Sequence, residues 1–132
     1  MNVTEQSVPG ATPIPGIRHA TWAGEEQGLR GLSVWRQSIA AGAATPPHRH
    51  DCDEVVLCHA GEGEVHSEGR VLRFGANATL TLPAGPVHQI FSVGSVALEL
   101  TGVFAQTPVK AWLPDGNVLE LPWRSKLRPA LR

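Results

Sequence analysis

Glycine and proline cut this chain into short apolar runs, and nowhere does a helical period persist. Across 132 residues there are 14 Gly and 11 Pro, spread from end to end. No stretch of ten or more residues repeats its apolar positions every three to four, and Val, Thr and Trp recur in the runs, as strands prefer. The pattern predicts strands near 17–22, 32–40, 46–50, 54–59, 63–67, 70–74, 78–82, 87–92 and 96–104. Ala60-Gly61-Glu62-Gly63, Glu68-Gly69 and Gly75-Ala76-Asn77 supply breaks between them. Evenly spaced short strands without helices fold as an antiparallel sandwich or barrel.

The length is that of one domain, able to bury about two thirds of its unfolded surface without disulfide staples. Residues 1–16 carry three Pro and two Gly with few apolar side chains. They read as an extended arm, either disordered or laid along the body or a partner subunit. The barrel is expected over 17–124, with a loose tail at 125–132. A net charge of −1 leaves no basic patch for nucleic acid or an anionic membrane. No apolar run approaches 18 residues, so no membrane span is expected. Residues 1–6 lack a basic stretch and an apolar core, so the expected location is cytoplasmic. Cys52 and Cys58 are then expected as free thiols, because disulfides are rare in reducing compartments.

Two histidine clusters carry the chemistry. The first runs Gly42-Ala-Ala-Thr-Pro-Pro-His48-Arg49-His50-Asp51-Cys52-Asp53-Glu54 and closes at Gly61; the second is Pro83-Ala84-Gly85-Pro86-Val87-His88. His48 and His50 stand two apart in a strand-like segment, so their side chains share a face. A straight strand would carry Glu54 roughly 13 Å beyond His50, whereas metal bonds are near 2 Å. The chain must therefore fold back at Asp51-Cys52-Asp53, where Asp suits a tight turn. Glu54 is expected to head the neighbouring antiparallel strand, with His88 arriving from another. Three neutral imidazoles and one carboxylate suit a divalent transition metal and leave it one surplus positive charge. If the ion is six-coordinate, two positions stay open for water, oxygen or a bidentate substrate, a catalytic rather than structural kind of site. Fe(II) suits such ligands, and Mn, Ni, Cu or Zn would also be accepted.

Gly42-x5-His48-x-His50-x3-Glu54-x6-Gly61 resembles the first cupin motif at every defined position. Pro83-x-Gly85-x2-His88 is similar to the core of the second. Two turns depart from the family pattern: Gly75 lies two residues too far upstream of Pro83, and Ser92 stands where Asn is frequent. The resemblance implies an all-β double-stranded β-helix (jelly roll) of the small, single-domain kind. It places the metal inside the barrel on His48, His50, Glu54 and His88, often in a homodimer. Cupins include dioxygenases, decarboxylases, isomerases, lyases and non-catalytic binding proteins, so the fold does not choose the function.

Parity on the strands orders the remaining candidates. Val56 and Cys58 share parity with Glu54 and should line the interior, as Ile90 and Ser92 should beside His88. His59 falls on the opposite face. The run Glu54–His59 is apolar on both faces, so its outer side should be covered by the arm or by a second subunit. Trp35, Gln37 and Ile39 share one face of their strand, and Gln37 is a candidate to orient a metal-bound ligand. His66 could face the cavity as a general acid or base, and Glu99 could face either cavity or solvent. Phe104, Trp112 and Trp123 should cover the barrel mouth or an interface, with Pro114-Asp115-Gly116 turning a closing hairpin or lid. The scarcity of inward acid–base groups favours a dioxygenase-like enzyme acting on a small oxygen-bearing organic molecule. The alternatives are a non-oxidative isomerase or lyase of a sugar or hydroxy acid, using His66 or Glu99 as base, and a non-catalytic small-molecule-binding protein.

Overall fold

Alternation of side chains along short strands builds two antiparallel sheets in the computed structural model, which describes residues 1–123. The strands are β1 (Gly10–Ala11), β2 (Ile17–Ala23), β3 (Ser33–Ile39), β4 (Glu54–Ala60), β5 (Glu62–Ser67), β6 (Arg70–Gly75), β7 (Thr79–Leu82), β8 (His88–Ser92) and β9 (Leu98–Phe104). A single 3-10 turn, Glu25–Gln27, interrupts them. The larger sheet runs β1-β2-β3-β9-β4-β7 and the smaller β6-β5-β8. The fold is an all-β jelly roll, as expected.

Side-chain parity explains why the sheets face each other. In β7, Leu80 and Leu82 are buried while Thr79 and Thr81 are exposed. In β8, His88, Ile90 and Ser92 point inward. In β4, Glu54, Val56 and Cys58 do the same. Ile39, Val56 and Leu98 form the centre of the apolar core between the sheets. Each such side chain contributes about 1.5–3 kcal/mol on burial. A second, smaller cluster of Trp35, Cys52, Phe104 and Val109 closes one end.

The structure departs from the expected strands in two ways that matter for the site. Residues 46–50 do not form a ladder. His48 and Arg49 make isolated bridges instead, His48 with His88 and Arg49 with Trp112. Pro46 and Pro47 lack the N–H groups a ladder needs, which accounts for the interruption. The turn at Asp51–Asp53 also does more than reverse the chain. Glu54 heads a strand paired with β7 and β9, not one paired with the histidine segment. The turn thus carries the chain from the edge of the small sheet to the large one, and Glu54 meets the imidazoles across the barrel.

The arm at 1–16 contributes β1, paired with β2 through Gly10–His19 and Ala11–Arg18. Trp22 Nε1 donates to the Ser7 carbonyl at 2.9 Å, so part of the arm lies on the body. The outer face of β4 is left partly open, with Leu57 exposed and Val55 half-buried. At the other end the expected hairpin forms: Leu113 N donates to Asn117 O, and Leu119 N donates to Ala111 O. The expected tail, 125–132, lies outside the described residues. Among the described residues, no helix is long and apolar enough to cross a membrane.

Candidate metal centre

His48, His50 and His88 converge: one ligand atom from each lies within 4.8 Å of the others. His48 and His88 face each other because their backbones exchange hydrogen bonds of 3.0 and 2.8 Å. The ring orientations are fixed from behind. His48 Nδ1 is 2.7 Å from the Pro46 carbonyl and His50 Nδ1 is 2.6 Å from the Lys110 carbonyl. A carbonyl only accepts, so each ring donates through Nδ1–H. Each Nε2 is then left with a lone pair aimed at the centre, the usual arrangement behind a metal-ligating imidazole.

Glu54 stands beside this group of three histidines, on the side of His50 and His88. Its Oε1 lies 3.5 Å from His88 Nε2 and 3.6 Å from His50 Nε2. Among the described residues this buried oxygen has no hydrogen-bond partner. A buried carboxylate oxygen left unpaired costs about 1–3 kcal/mol or more. The spacing is too long for a hydrogen bond, yet donors each about 2.0–2.2 Å from one shared cation stand roughly 3–4 Å apart. A cation between these atoms would satisfy the orphan and both imidazole lone pairs at once. The donor set therefore fits a divalent transition ion.

Burial sets the electrostatics of these groups. Desolvation pushes the Glu54 carboxyl up to about 8. It pulls His88 down to about 3, helped by the neighbouring imidazoles and partly opposed by the Pro86 backbone. His50 falls to about 4, mainly through burial and then His48. His48 is likewise lowered by burial, against its bond to Pro46. Three neutral imidazoles at neutral pH are what a metal requires.

The cavity beside the four groups is small and mainly apolar. One lobe of about 40 Å³ is bounded by Trp35, Gln37, Ile90, Leu100 and Phe104 together with the histidines and Glu54. A second lobe, also about 40 Å³, lies between His48, His50 and Gln37 on one side and Leu119, Leu121 and Trp123 on the other. Residues 119–123 are thus its cover. A much larger hollow, about 580 Å³, opens elsewhere, between β6 and β7, and meets the site only at His88.

Gln37 is where its parity put it, lining both lobes. Its amide is engaged with His19, a residue the strand pattern did not single out. His19 stacks on Trp123 with ring centroids 4.2 Å apart, and burial pulls its pKa down to about 3. The signal available in the sequence was its spacing from Ile17 and Thr21 on one strand face, but cross-strand partners are set by register. The expectation that His66 faces the cavity is overturned. Val65 is the inward residue of β5, while His66 lies beside Phe91 and within 3.1 Å of Glu64 Oε1. Glu99 is resolved to the outer face, paired with Arg36 at 2.9 Å and bonded by Ser38. His59 faces outward too, 2.6 Å from Thr101 Oγ1.

Cys52 and Cys58 are both free and buried. Burial, then Glu54 and Asp51, push the Cys52 thiol up to about 11, so without a metal it stays protonated at neutral pH. Phe104 packs on His50 and Trp35. Trp112 sits 5.0 Å beneath the Arg49 guanidinium, and Trp123 closes over Trp35 and His19.

Comparison with known proteins places this geometry. Residues 4–125 match the family described as auxin binding protein. Auxin-binding protein 1 of Arabidopsis thaliana is 32% identical over 109 residues, covering 75% of this chain and 55% of that protein. The chain spans little more than half the length of the curated relatives it matches. Among solved structures, a cupin 2 domain-containing protein from Halorhodospira halophila superposes with a TM-score of 0.67 at 21% identity, covering 74% of this chain and 68% of that one. An oxalate oxidase gives 0.69 at 20% identity, covering 86% and 63%. Likeness at such identities establishes the cupin jelly roll and nothing finer.

Proposed function

The chain belongs to the auxin-binding protein family, and on that footing we propose that it captures a small organic molecule at a metal held by His48, His50, Glu54 and His88. The observation that carries this is the buried, unpartnered Glu54 Oε1 set between two imidazole nitrogens, beside a cavity with apolar walls. Bound there, a dication such as Fe(II), Mn, Ni or Zn supplies Lewis acidity and an uncompensated positive charge. The chain's own residues do the rest. The Pro46 and Lys110 carbonyls hold the rings in place, and Trp35, Ile90, Leu100 and Phe104 exclude water and receive an apolar body. Gln37 supplies a polar contact. The ligand class this selects is an organic acid or other oxygen donor on a compact apolar frame. The curated relatives are named for auxin binding, which supports recognition of a small molecule as the task here.

A dioxygenase-like activity is the second reading, favoured by a donor set that does not fill six positions around an ion and by the scarcity of other acid–base groups lining the lobes among the described residues. An isomerase or lyase is less well supported, because His66 and Glu99 both point away from the cavity.

The test begins with elemental analysis of protein purified without chelator or metal-affinity tag. We expect close to one transition ion per chain, and His50→Ala should abolish it. Undiminished metal in that variant would overturn the site. Calorimetry with benzoate on the loaded protein then measures capture, and an oxygen electrode decides whether turnover accompanies it.

A further inference from the structure

The Gln37 amide is held by a directional chain of hydrogen bonds that ends at its own carbonyl. Gln37 Nε2 lies 3.0 Å from His19 Nδ1, and His19 Nε2 lies 2.6 Å from Thr21 Oγ1. An amide nitrogen only donates, so Nδ1 accepts and the single ring proton of a neutral His19 sits on Nε2, donating to Thr21. The His19 ring is clamped in this position between Trp123, stacked at 4.2 Å, and Trp35, edge-on at 5.1 Å. Such burial disfavours the imidazolium, which would present two donors and break the chain. With the nitrogen committed to His19, Gln37 Oε1 accepts no hydrogen bond among the described residues. Gln37 itself belongs to the wall shared by both lobes around the histidines.

We propose that His19 is a positioning residue for recognition: it fixes the Gln37 amide so that the cavity presents a hydrogen-bond acceptor there, selecting ligands that carry an O–H or N–H. This rests on the reading of the cavity as the ligand site, but the tautomer of His19 is independent of it. The chemistry is selective because an acceptor facing an acceptor leaves both unpaired once the ligand has excluded water, which is worth about tenfold or more in affinity. The selected ligand class is therefore an oxygen-anchored molecule that also carries a donor facing Gln37. A molecule of the same shape carrying an ether oxygen there is rejected.

Long-range ¹H–¹⁵N spectra of uniformly labelled protein read the tautomer directly. The expected result is His19 protonated on Nε2 with Nδ1 as acceptor; protonation on Nδ1 would overturn the proposal, because Gln37 would then present its nitrogen to the cavity. Binding supplies the second readout. Zinc-loaded protein is titrated with 3- and 4-hydroxybenzoate and with the matching methoxybenzoates. At least one hydroxy compound should bind about tenfold more tightly than its ether. His19→Asn, whose side-chain oxygen can replace Nδ1 as acceptor, should keep that ratio. His19→Phe, which keeps a ring but frees the amide to turn, should bring it near unity while zinc content stays unchanged. An equal ratio in wild type and His19→Phe would overturn the proposal. Failure of every benzoate to bind would count against the proposed ligand site instead, and the spectra would then decide the His19 chain alone.

Discussion

Without a cation, Glu54 keeps its proton until about pH 8, because burial penalises the charge and nothing among the described residues donates to Oε1. A metal must displace that proton. At about pH 6 to 7 uptake should therefore release close to one proton per ion, falling to about half at pH 8, and apparent affinity should rise with pH and flatten above 8. Calorimetry in buffers of different ionisation enthalpy measures this directly. Glu54→Gln should remove both the proton release and the slope, and weaken binding at least about tenfold. The metal-free fold has its own pH dependence. His19, His50 and His88 have folded pKa values below 6.5, so the unfolded chain binds more protons as pH falls below that value. Their contribution to stability is present above 6.5 and lost on acidification toward 4 and 3. Glu54 runs the other way, its contribution full below 4.5 and lost as pH rises through 8. The urea midpoint of metal-free protein should accordingly drop between pH 6.5 and 4, and zinc should stabilise most at pH 8 and above.

At the scale of elements, the two glycines bounding the first motif serve different needs. Gly42 has φ +82 and no neighbour within 4 Å of where a Cβ would sit, so only its left-handed backbone demands glycine. Its N–H donates to the Ser92 carbonyl at 3.0 Å, tying the turn to the end of β8. Gly61 has φ +87, and a Cβ there would come within 2.6 Å of the Ala97 carbonyl oxygen and 2.9 Å of Leu98 Cα. Gly42→Ala should cost about 1–2 kcal/mol, and Gly61→Ala distinctly more, because backbone must move as well. Urea unfolding of the two variants checks the ranking; an equal loss would show that the β4–β5 turn yields freely. The β5–β6 hairpin turns at Glu68 and Gly69, both in the left-handed region, where the sequence had marked a break.

For the whole molecule, the open question is what lies over the outer face of β4. The doubly apolar run predicted a cover, and the arm's short β1 pairs with β2 at the far edge of the sheet, leaving Leu57 exposed. We propose that a second copy covers this face. Leu57→Arg should then give a monomer by light scattering while shifting the stability of the fold by no more than about 0.5 kcal/mol. A monomeric wild type would rule the dimer out.

What the sequence determined by itself was local: strand parity, the turn residues, and the candidacy of His48, His50, Glu54 and His88, of which the three histidines converge. Period-two alternation and metal-ligand chemistry are short-range rules that a chain displays without folding, so Val56, Cys58, Ile90 and Ser92 were legible as inward-facing. Only tertiary structure decided which strands became neighbours. Register between distant segments placed Glu54 across the barrel from the imidazoles, turned His66 and Glu99 outward, and brought His19 against Gln37. It also supplied the Lys110 carbonyl, 60 residues from His50 in sequence. Such partners arise from long-range pairing and packing, whose information is spread over the whole chain and appears only when the two sheets close on each other.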